Sequence, residues 1–264
     1  MTDETKQAIA RSLTADTTEL IPFLPYLLQD FWELGSDPDA MLHLIISHVP
    51  LSPKTRILDL ACGKGAVAVK VAEALRVKVK GIDILPEFIN YARLKACEHH
   101  VTDLCEFATG DINEAVKTEK AYDVVIFGAA GIALGEPAEM LSKLKSVVCP
   151  GGYILIDECY LPDNVQQCDI KCNSYELLTG KQWTCLFEAA GLELIETISE
   201  KNADIPASGN SEAGMAFILA RANELSKQYL DKKVLFDGYV QGQINEYDDI
   251  DNTLICVTWM LRKF

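Results

Sequence analysis

The chain has 264 residues, of which 49% are apolar and 24% are charged, and its formal net charge is −15. This length and composition predict one globular domain with a sizeable core, and the acidic excess disfavours nucleic acids and anionic membrane surfaces as partners. The polar start and the lack of a long apolar stretch predict neither a signal peptide nor a transmembrane helix. With nine scattered cysteines, we expect a cytoplasmic protein whose thiols are mostly reduced and buried.

The first 49 residues have the pattern of helices. Apolar residues recur at helical spacing, and Ser36-Asp37-Pro38 has the form of a helix N-cap followed by proline in the first turn. We therefore expect an N-terminal helical cap over residues 1–49 and the main domain over residues 50–264.

From residue 50 onward, short apolar runs alternate with amphipathic segments. The apolar runs cover residues 56–60, 77–84, 105–109, 122–127, 153–157, 192–198 and 254–261. Helical patterns follow Gly65, Pro86, Asp111 and Pro137, and another covers residues 175–190. Such alternation predicts an α/β fold, in which helices cover both faces of a mostly parallel, doubly wound sheet.

A long connection precedes the last predicted strand. Residues 201–253 contain one predicted helix, over 213–230, and a connection of this length inside a compact domain is usually a lid or a binding element. We expect this insertion to close over the site together with residues 1–49. Aromatic residues in the two segments support a covered pocket; they are Tyr26, Phe31, Trp32, Phe236, Tyr239 and Tyr247.

A glycine-rich turn, Gly63-Lys64-Gly65, follows the first predicted strand, which contains Asp59. Such a turn lets a ligand approach the backbone and the following helix N-terminus closely. The turn fits a nicotinamide dinucleotide, with Asp83 as the ribose ligand, and it equally fits S-adenosylmethionine. Asp59 favours the second cofactor, because a carboxylate before the glycines repels a pyrophosphate and suits an ammonium group.

The order of five motifs resembles the class I S-adenosylmethionine-dependent methyltransferases. The motifs are ILDLACGKG, GIDIL, TGDI, YDVVIFGAAG and LKSVVCPGGYILIDE. The resemblance implies a Rossmann-like seven-stranded sheet whose last strand is antiparallel. It also implies S-adenosyl-L-methionine as cofactor and S-adenosyl-L-homocysteine as product. The cofactor-binding residues that it implies are Asp59, Ala61, Gly63, Gly65, Asp83, Ile84, Asp111, Ile112, Phe127 and Gly128.

In the family pattern, each of these residues contacts a particular part of the cofactor. Asp59 and the two glycines of the turn line its methionine part, Asp83 accepts the ribose hydroxyls and Asp111 meets the adenine amine. Ile84 packs on the adenine ring.

The acceptor is predicted to be a small molecule. The fourth strand ends in Phe127-Gly128-Ala129-Ala130, which lacks the motif associated with methylating nucleobase amines. Glu158, taken to follow the fifth strand directly, and Tyr160 are the predicted catalytic residues; other candidate bases are Asp157, His43 and His48.

Two other readings of the function remain open. One is an NAD(P)-dependent oxidoreductase, and the other is a non-catalytic module with the methyltransferase fold. Cys159, Cys168 and Cys172 are the soft candidate metal ligands, but they lack a second paired set of cysteines or histidines, and we predict no metal site.

Overall fold

The computed structural model describes residues 2–172, 175–199 and 211–264, without the side chains of 211 and 212. The strands are β1 (Arg56–Leu60), β2 (Lys78–Asp83), β3 (Cys105–Thr109), β4 (Tyr122–Gly128), β5 (Val148–Tyr160), β6 (Leu192–Ser199) and β7 (Ile255–Lys263). The helices are α1 (Asp3–Ser12), α2 (Leu24–Leu27), α3 (Pro38–His48), α4 (Ala66–Leu75), α5 (Pro86–Glu98), α6 (Ile112–Thr118), α7 (Pro137–Val147), α8 (Gly180–Ala189), α9 (Ser211–Gln228) and α10 (Lys233–Asn252). Short 3-10 helices cover Thr18–Phe23, Gln167–Asp169 and Leu230–Lys232.

The strands form a seven-stranded sheet in the order β3-β2-β1-β4-β5-β7-β6. Neighbours from β3 to β5 are parallel, whereas β7 runs antiparallel to both β5 and β6. The α/β fold and the antiparallel last strand predicted from the sequence are confirmed. The strand order reverses between β1 and β4, and ligands of such sheets bind at that point, outside the carboxyl ends of the strands.

The sheet is buried on both faces because neighbouring residues of each central strand enter opposite apolar layers. Ile57 packs in the layer that contains α4, whereas Leu58 packs in the layer that contains α7. Trp259 of β7 packs against Trp183 and Phe187 of α8, with ring centroids 5.2 and 5.3 Å apart. The buried strands therefore read as continuous apolar runs, which is why their positions could be predicted.

A third apolar cluster joins the start of the chain to the segment before β7. Leu24 and Leu27 of α2 pack there with Ile218 of α9 and with Phe236 and Tyr239 of α10. Segments nearly 200 residues apart thus build one helical layer. Part of the predicted insertion, residues 201–210, lies outside the described residues.

The fifth strand is longer than predicted. Residues 153–157 were expected, but β5 begins at Val148, which pairs with Tyr122, and continues to Tyr160, which pairs with Ile255. The antiparallel partner β7 extends the strand at its carboxyl end. The expectation that Glu158 follows the fifth strand is therefore wrong, because Glu158 lies within it.

The cysteines also differ from the expectation of mostly buried thiols. Cys159 and Cys256 oppose each other on β5 and β7, with Cα atoms 4.0 Å apart, and form a disulfide. The seven free cysteines are exposed or partly buried. Most cysteines are thus reduced, as expected, but they are not buried. The disulfide was not predicted because the opposition of Cys159 and Cys256 depends on the antiparallel register. No helix in the described ranges is long and apolar enough to cross a membrane.

Candidate functional site

The turn between β1 and α4 forms the floor of a cavity at the switch point. Its residues Ala61, Cys62, Gly63 and Lys64 all line the cavity. Lys64 is 3% exposed, and its ammonium donates to the carbonyl oxygens of Leu28 and Phe31. Burial lowers the pKa of Lys64 to about 8. This lysine therefore fastens the N-terminal segment onto the turn, a role that the sequence reading missed.

Asp83 and Asp59 are two buried carboxylates beside the turn. Asp83 lines the cavity and accepts hydrogen bonds from the backbone N–H groups of Leu85 and Gly63, at 2.9 Å each. Burial raises its pKa. Burial, and then the charge of Asp83, raises the pKa of Asp59 to about 8. One Asp59 oxygen, Oδ2, has no hydrogen-bond partner among the described residues. The two carboxyl groups thus lie close together beside the cavity floor, where a cationic ligand group would favour their ionised forms.

We expect Asp59→Asn to stabilise the protein at alkaline pH. A carboxyl whose pKa is raised on folding contributes stability below its unfolded pKa of about 4 and loses it as pH rises toward 8. Asparagine cannot ionise. Urea unfolding should therefore show that the variant gains free energy of unfolding over the unmodified chain, and that this gain is larger at pH 9 than at pH 5. The exposed Asp163→Asn is the charge-matched control, and an equal gain at both pH values would contradict the prediction.

The opposite wall of the cavity comes from α6, the end of β4 and α1. Asp111 caps α6 through a 2.8 Å hydrogen bond from the Asn113 N–H, and its other oxygen accepts the Thr5 hydroxyl at 3.1 Å. Thr5, Ala8 and Ile9 line the cavity from above. Helix α1 thus covers the cavity and is fastened to its far wall.

Most of the residues that the resemblance implied are brought together here. Those that line the cavity are Ala61, Gly63, Asp83, Ile84, Asp111, Ile112 and Gly128. Asp59, Gly65 and Phe127 lie behind the lining: Asp59 is 3% exposed, and Phe127 packs in the core at 2%. The empty space in and around the cavity is about 880 Å³, open solvent included.

A second and larger cavity adjoins the first. It encloses about 1390 Å³, open solvent included, and the two share the lining residues Ser12, Leu13, Glu33, Leu34 and Ala129. Its walls come from β5, the loop before α8, and α10. Ligands in the two cavities would therefore be neighbours.

Asp157 and Glu158 of β5 face this second cavity. Asp157 Oδ2 accepts the Asp37 N–H at 3.2 Å and the Thr258 hydroxyl at 2.9 Å. Glu158 Oε1 accepts the Cys159 N–H and the Tyr175 hydroxyl, both at 3.0 Å. Enclosure by protein raises the pKa of each carboxyl to about 7, against the lowering effect of these hydrogen bonds. Both groups can take up or release a proton near neutral pH.

Helix α10 supplies a polar face to the same cavity, through Tyr239, Gln243, Glu246 and Tyr247. Burial raises the pKa of Glu246. The charge of Glu246 in turn raises the pKa values of Glu158 and Tyr239. The sequence reading named both tyrosines for the cover but did not identify Glu246 or Gln243. Helical spacing places these residues on one face of α10, but the sequence does not show that this face packs inward.

The other candidate bases lie elsewhere. Tyr160 stacks on Trp259, with centroids 5.9 Å apart, and lines neither of the two cavities. His48 pairs with Glu196 at 2.5 Å, and His43 also lines neither cavity. Within the described ranges, no three His, Cys, Asp or Glu side chains are placed to hold a metal ion.

Comparison with known proteins decides the family. A family model described as a methyltransferase domain matches residues 51–205, more than half of the chain. The chain belongs to the methyltransferase domain family. This confirms the resemblance to class I S-adenosylmethionine-dependent methyltransferases and argues against the oxidoreductase reading that the glycine pattern had left open.

Relatives of this methyltransferase-family chain are similar over part of their length. It is 32% identical over 145 residues to a ubiquinone biosynthesis O-methyltransferase of Paraburkholderia phytofirmans, a match that covers 49% of this chain and 61% of the relative. For the first three curated relatives, the match to this chain covers 61%, 45% and 39% of the relative's length. The chain thus spans between about two fifths and three fifths of those proteins.

Solved structures show the same fold. An S-adenosylmethionine-dependent methyltransferase from Geobacter sulfurreducens, solved with S-adenosyl-L-homocysteine, superposes with a TM-score of 0.74 at 20% identity and covers 92% of this chain and 98% of its own. The [4+2]-cyclase SpnF superposes with a TM-score of 0.73 at 16% identity, covering 98% of this chain and 96% of its own. The fold therefore accommodates different activities, and the activity of this chain has to be argued from its own site.

Proposed function

We propose that the chain transfers a methyl group from S-adenosyl-L-methionine to a small-molecule acceptor. The observation that carries the proposal is a cavity at the switch point that is lined by the buried carboxylate of Asp83 and adjoins a second cavity with titratable groups on its lining. A cofactor and an acceptor can therefore be held side by side. Family membership supports the same reaction.

The residues of the first cavity fit this cofactor. Asp83 lies at the end of β2, where a carboxylate accepts ribose hydroxyls in sheets of this kind. Asp59 retains a buried oxygen without a partner beneath the turn, which suits the cationic amino-acid part. Ile84 and Ile112 supply apolar walls for adenine, and Asp111 supplies an acceptor for its amine. When bound, S-adenosylmethionine supplies a methyl group activated by its attachment to a positively charged sulfur.

The chain's own residues position the acceptor, exclude water and hold a proton. Glu158 lies in the second cavity with a pKa raised to about 7, so it can accept a proton from an acceptor at neutral pH. The Tyr175 hydroxyl orients it through its 3.0 Å hydrogen bond. Enclosure by α1 and α10 limits access of water to the two cavities.

The covered cavities and the charge of −15 favour a metabolite over a nucleic acid or a membrane surface as acceptor. Incubation with methyl-labelled cofactor and fractionated cell extract tests this proposal. Label should enter the low-molecular-weight fraction, and Glu158→Gln should slow its transfer. Label confined to nucleic acid or polypeptide would show that the substrate class is wrong.

We also expect the cap to open and close over the cofactor. Helix α1 lines the first cavity and is held to Asp111 by Thr5, so movement of α1 would widen the way in for a ligand. Hydrogen exchange should slow in residues 2–49 and 211–253 when S-adenosyl-L-homocysteine is bound. Protection confined to residues 59–83 would contradict a lid.

A further inference from the structure

We infer that the second cavity binds an ammonium group, so that the methyl acceptor is an amine. This inference rests on the proposed function and names its substrate class. It concerns three carboxylates, Asp157, Glu158 and Glu246, and the tyrosines among them, which we call the acidic cavity. All of them line one continuous space beside the cofactor cavity.

In each of the three carboxylates, only one of the two oxygens accepts hydrogen bonds from the residues that the structure describes. Asp157 uses Oδ2 and Glu158 uses Oε1. Glu246 uses Oε2, which accepts the Thr14 hydroxyl at 2.5 Å and the Gln243 amide at 3.0 Å. Among the described residues, the second oxygen of each group makes no such bond. Three acceptor oxygens are therefore left for a ligand with several N–H donors, and an ammonium group has that capacity.

Tyr239 provides an independent sign of a ligand. It is 1% exposed and lines the acidic cavity, yet its hydroxyl has no hydrogen-bond partner in the described part of the chain. An unsatisfied buried hydroxyl costs free energy, and native structures rarely leave one without a role. Burial, and then the charge of Glu246, raises its pKa, so the phenol stays protonated. Tyr175 and Tyr247 also line the cavity, and aromatic rings are groups that attract a cation.

The titratable groups that face the cavity are mostly acidic. The carboxyl groups among them are Glu33, Asp157, Glu158, Glu246 and Asp249, with Asp37 beside Asp157. The other titratable side chains on the lining are Arg11, Cys172, Tyr175, Tyr239 and Tyr247. Glu33 is paired with Lys70 at 2.7 Å, and Asp249 accepts the backbone N–H groups of Lys171 and Cys172. Arg11, which is exposed, is the one basic residue among the described lining residues.

This balance of charge excludes an anionic acceptor and favours a cationic one. A phosphate or carboxylate would meet three carboxylates in a low-dielectric space, whereas an ammonium would relieve their mutual repulsion. Because the pKa values of Asp157 and Glu158 are raised to about 7, cation binding should release protons near neutral pH. Either group can then hold the proton that an ammonium must lose before its nitrogen has a free electron pair.

Three probes of similar size and different charge test the inference: 2-phenylethylamine, 2-phenylethanol and phenylacetate. Calorimetry in the presence of S-adenosyl-L-homocysteine should show the amine binding at least about tenfold more tightly than the alcohol at pH 8.5. Amine affinity should fall as pH drops to 6, because Asp157 and Glu158 become protonated, while alcohol affinity stays constant. Phenylacetate should bind least.

Single variants assign the effect to the acidic cavity. Glu246→Gln and Glu158→Gln keep the size of the side chain and remove its charge, so each should weaken amine binding about tenfold and leave alcohol binding unchanged. Tyr239→Phe should weaken amine binding without altering its pH dependence. The exposed Glu188→Gln is the charge-matched control and should change nothing.

Two failures can be told apart. If S-adenosyl-L-homocysteine binds but the amine binds no better than the alcohol, or if the variants weaken both probes alike, the ammonium site is overturned and the proposed function stands. If S-adenosyl-L-homocysteine itself does not bind, the proposed function fails.

Discussion

Asp83→Ala should weaken binding of S-adenosyl-L-homocysteine by about 1.5–3 kcal/mol, which is roughly a 10- to 160-fold rise in Kd. The carboxylate is 8% exposed and sits on the cavity lining, so its hydrogen bonds to ribose hydroxyls would form away from bulk water. Alanine removes two charge-assisted hydrogen bonds and offers no replacement. Isothermal titration calorimetry at pH 7.5 measures the change.

Asp83 also supports the turn, since it accepts the Gly63 and Leu85 N–H groups. Urea unfolding of the variant should therefore accompany the titration, to show that it still unfolds cooperatively. The exposed Asp103→Ala on the loop before β3 is the control and should bind like the unmodified chain. Unchanged affinity in a cooperatively folded Asp83→Ala protein would contradict the assigned role.

Gly65→Ala should cost about 2–4 kcal/mol of the free energy of unfolding. Gly65 begins α4 in the left-handed conformation, with φ +75°. An added Cβ would lie 2.7 Å from the Ala92 Cβ and 3.0 Å from the Phe107 ring, so α5 or β3 would have to shift. The expected loss combines backbone strain with overpacking of a buried layer.

Gly151→Ala separates these two causes. Gly151 has nearly the same φ, +77°, but nothing lies within 4 Å of an added Cβ. Its replacement should cost only the left-handed penalty, about 1–2 kcal/mol. Urea unfolding of both variants measures the difference, which is the steric contribution at Gly65. Equal losses would contradict a packing role and leave backbone conformation as the sole reason for glycine there.

The central sheet could be predicted from the sequence because parallel strands buried on both faces have a distinct pattern. Two apolar runs, 56–60 and 105–109, coincide with β1 and β3. The extra length of β5 was hidden by Pro150-Gly151-Gly152, which has the composition of a turn. Pairing with β7 extends the other end of β5, and no local pattern reports such a partner.

Residues that line the first cavity could be predicted where they lie at the carboxyl end of a strand. Asp83 ends β2 and Asp111 follows the neighbouring parallel strand β3, so their convergence needs only the strand order. The contacts of Lys64 could not be predicted in this way, because its hydrogen-bond partners are carbonyl oxygens of a segment distant in the sequence. The acidic cavity depends on which face of α10 packs inward, and a helix with polar residues all round does not reveal that.

The most direct test of the account is a calorimetric titration of the unmodified chain with S-adenosyl-L-homocysteine, beside a matched titration with NADH. Asp83 can accept the ribose hydroxyls of either ligand, but the unpartnered Asp59 oxygen suits an ammonium group and disfavours a pyrophosphate. The account therefore predicts saturable one-to-one binding of S-adenosyl-L-homocysteine and no heat from NADH. Saturable binding of NADH without a response to S-adenosyl-L-homocysteine would contradict the account.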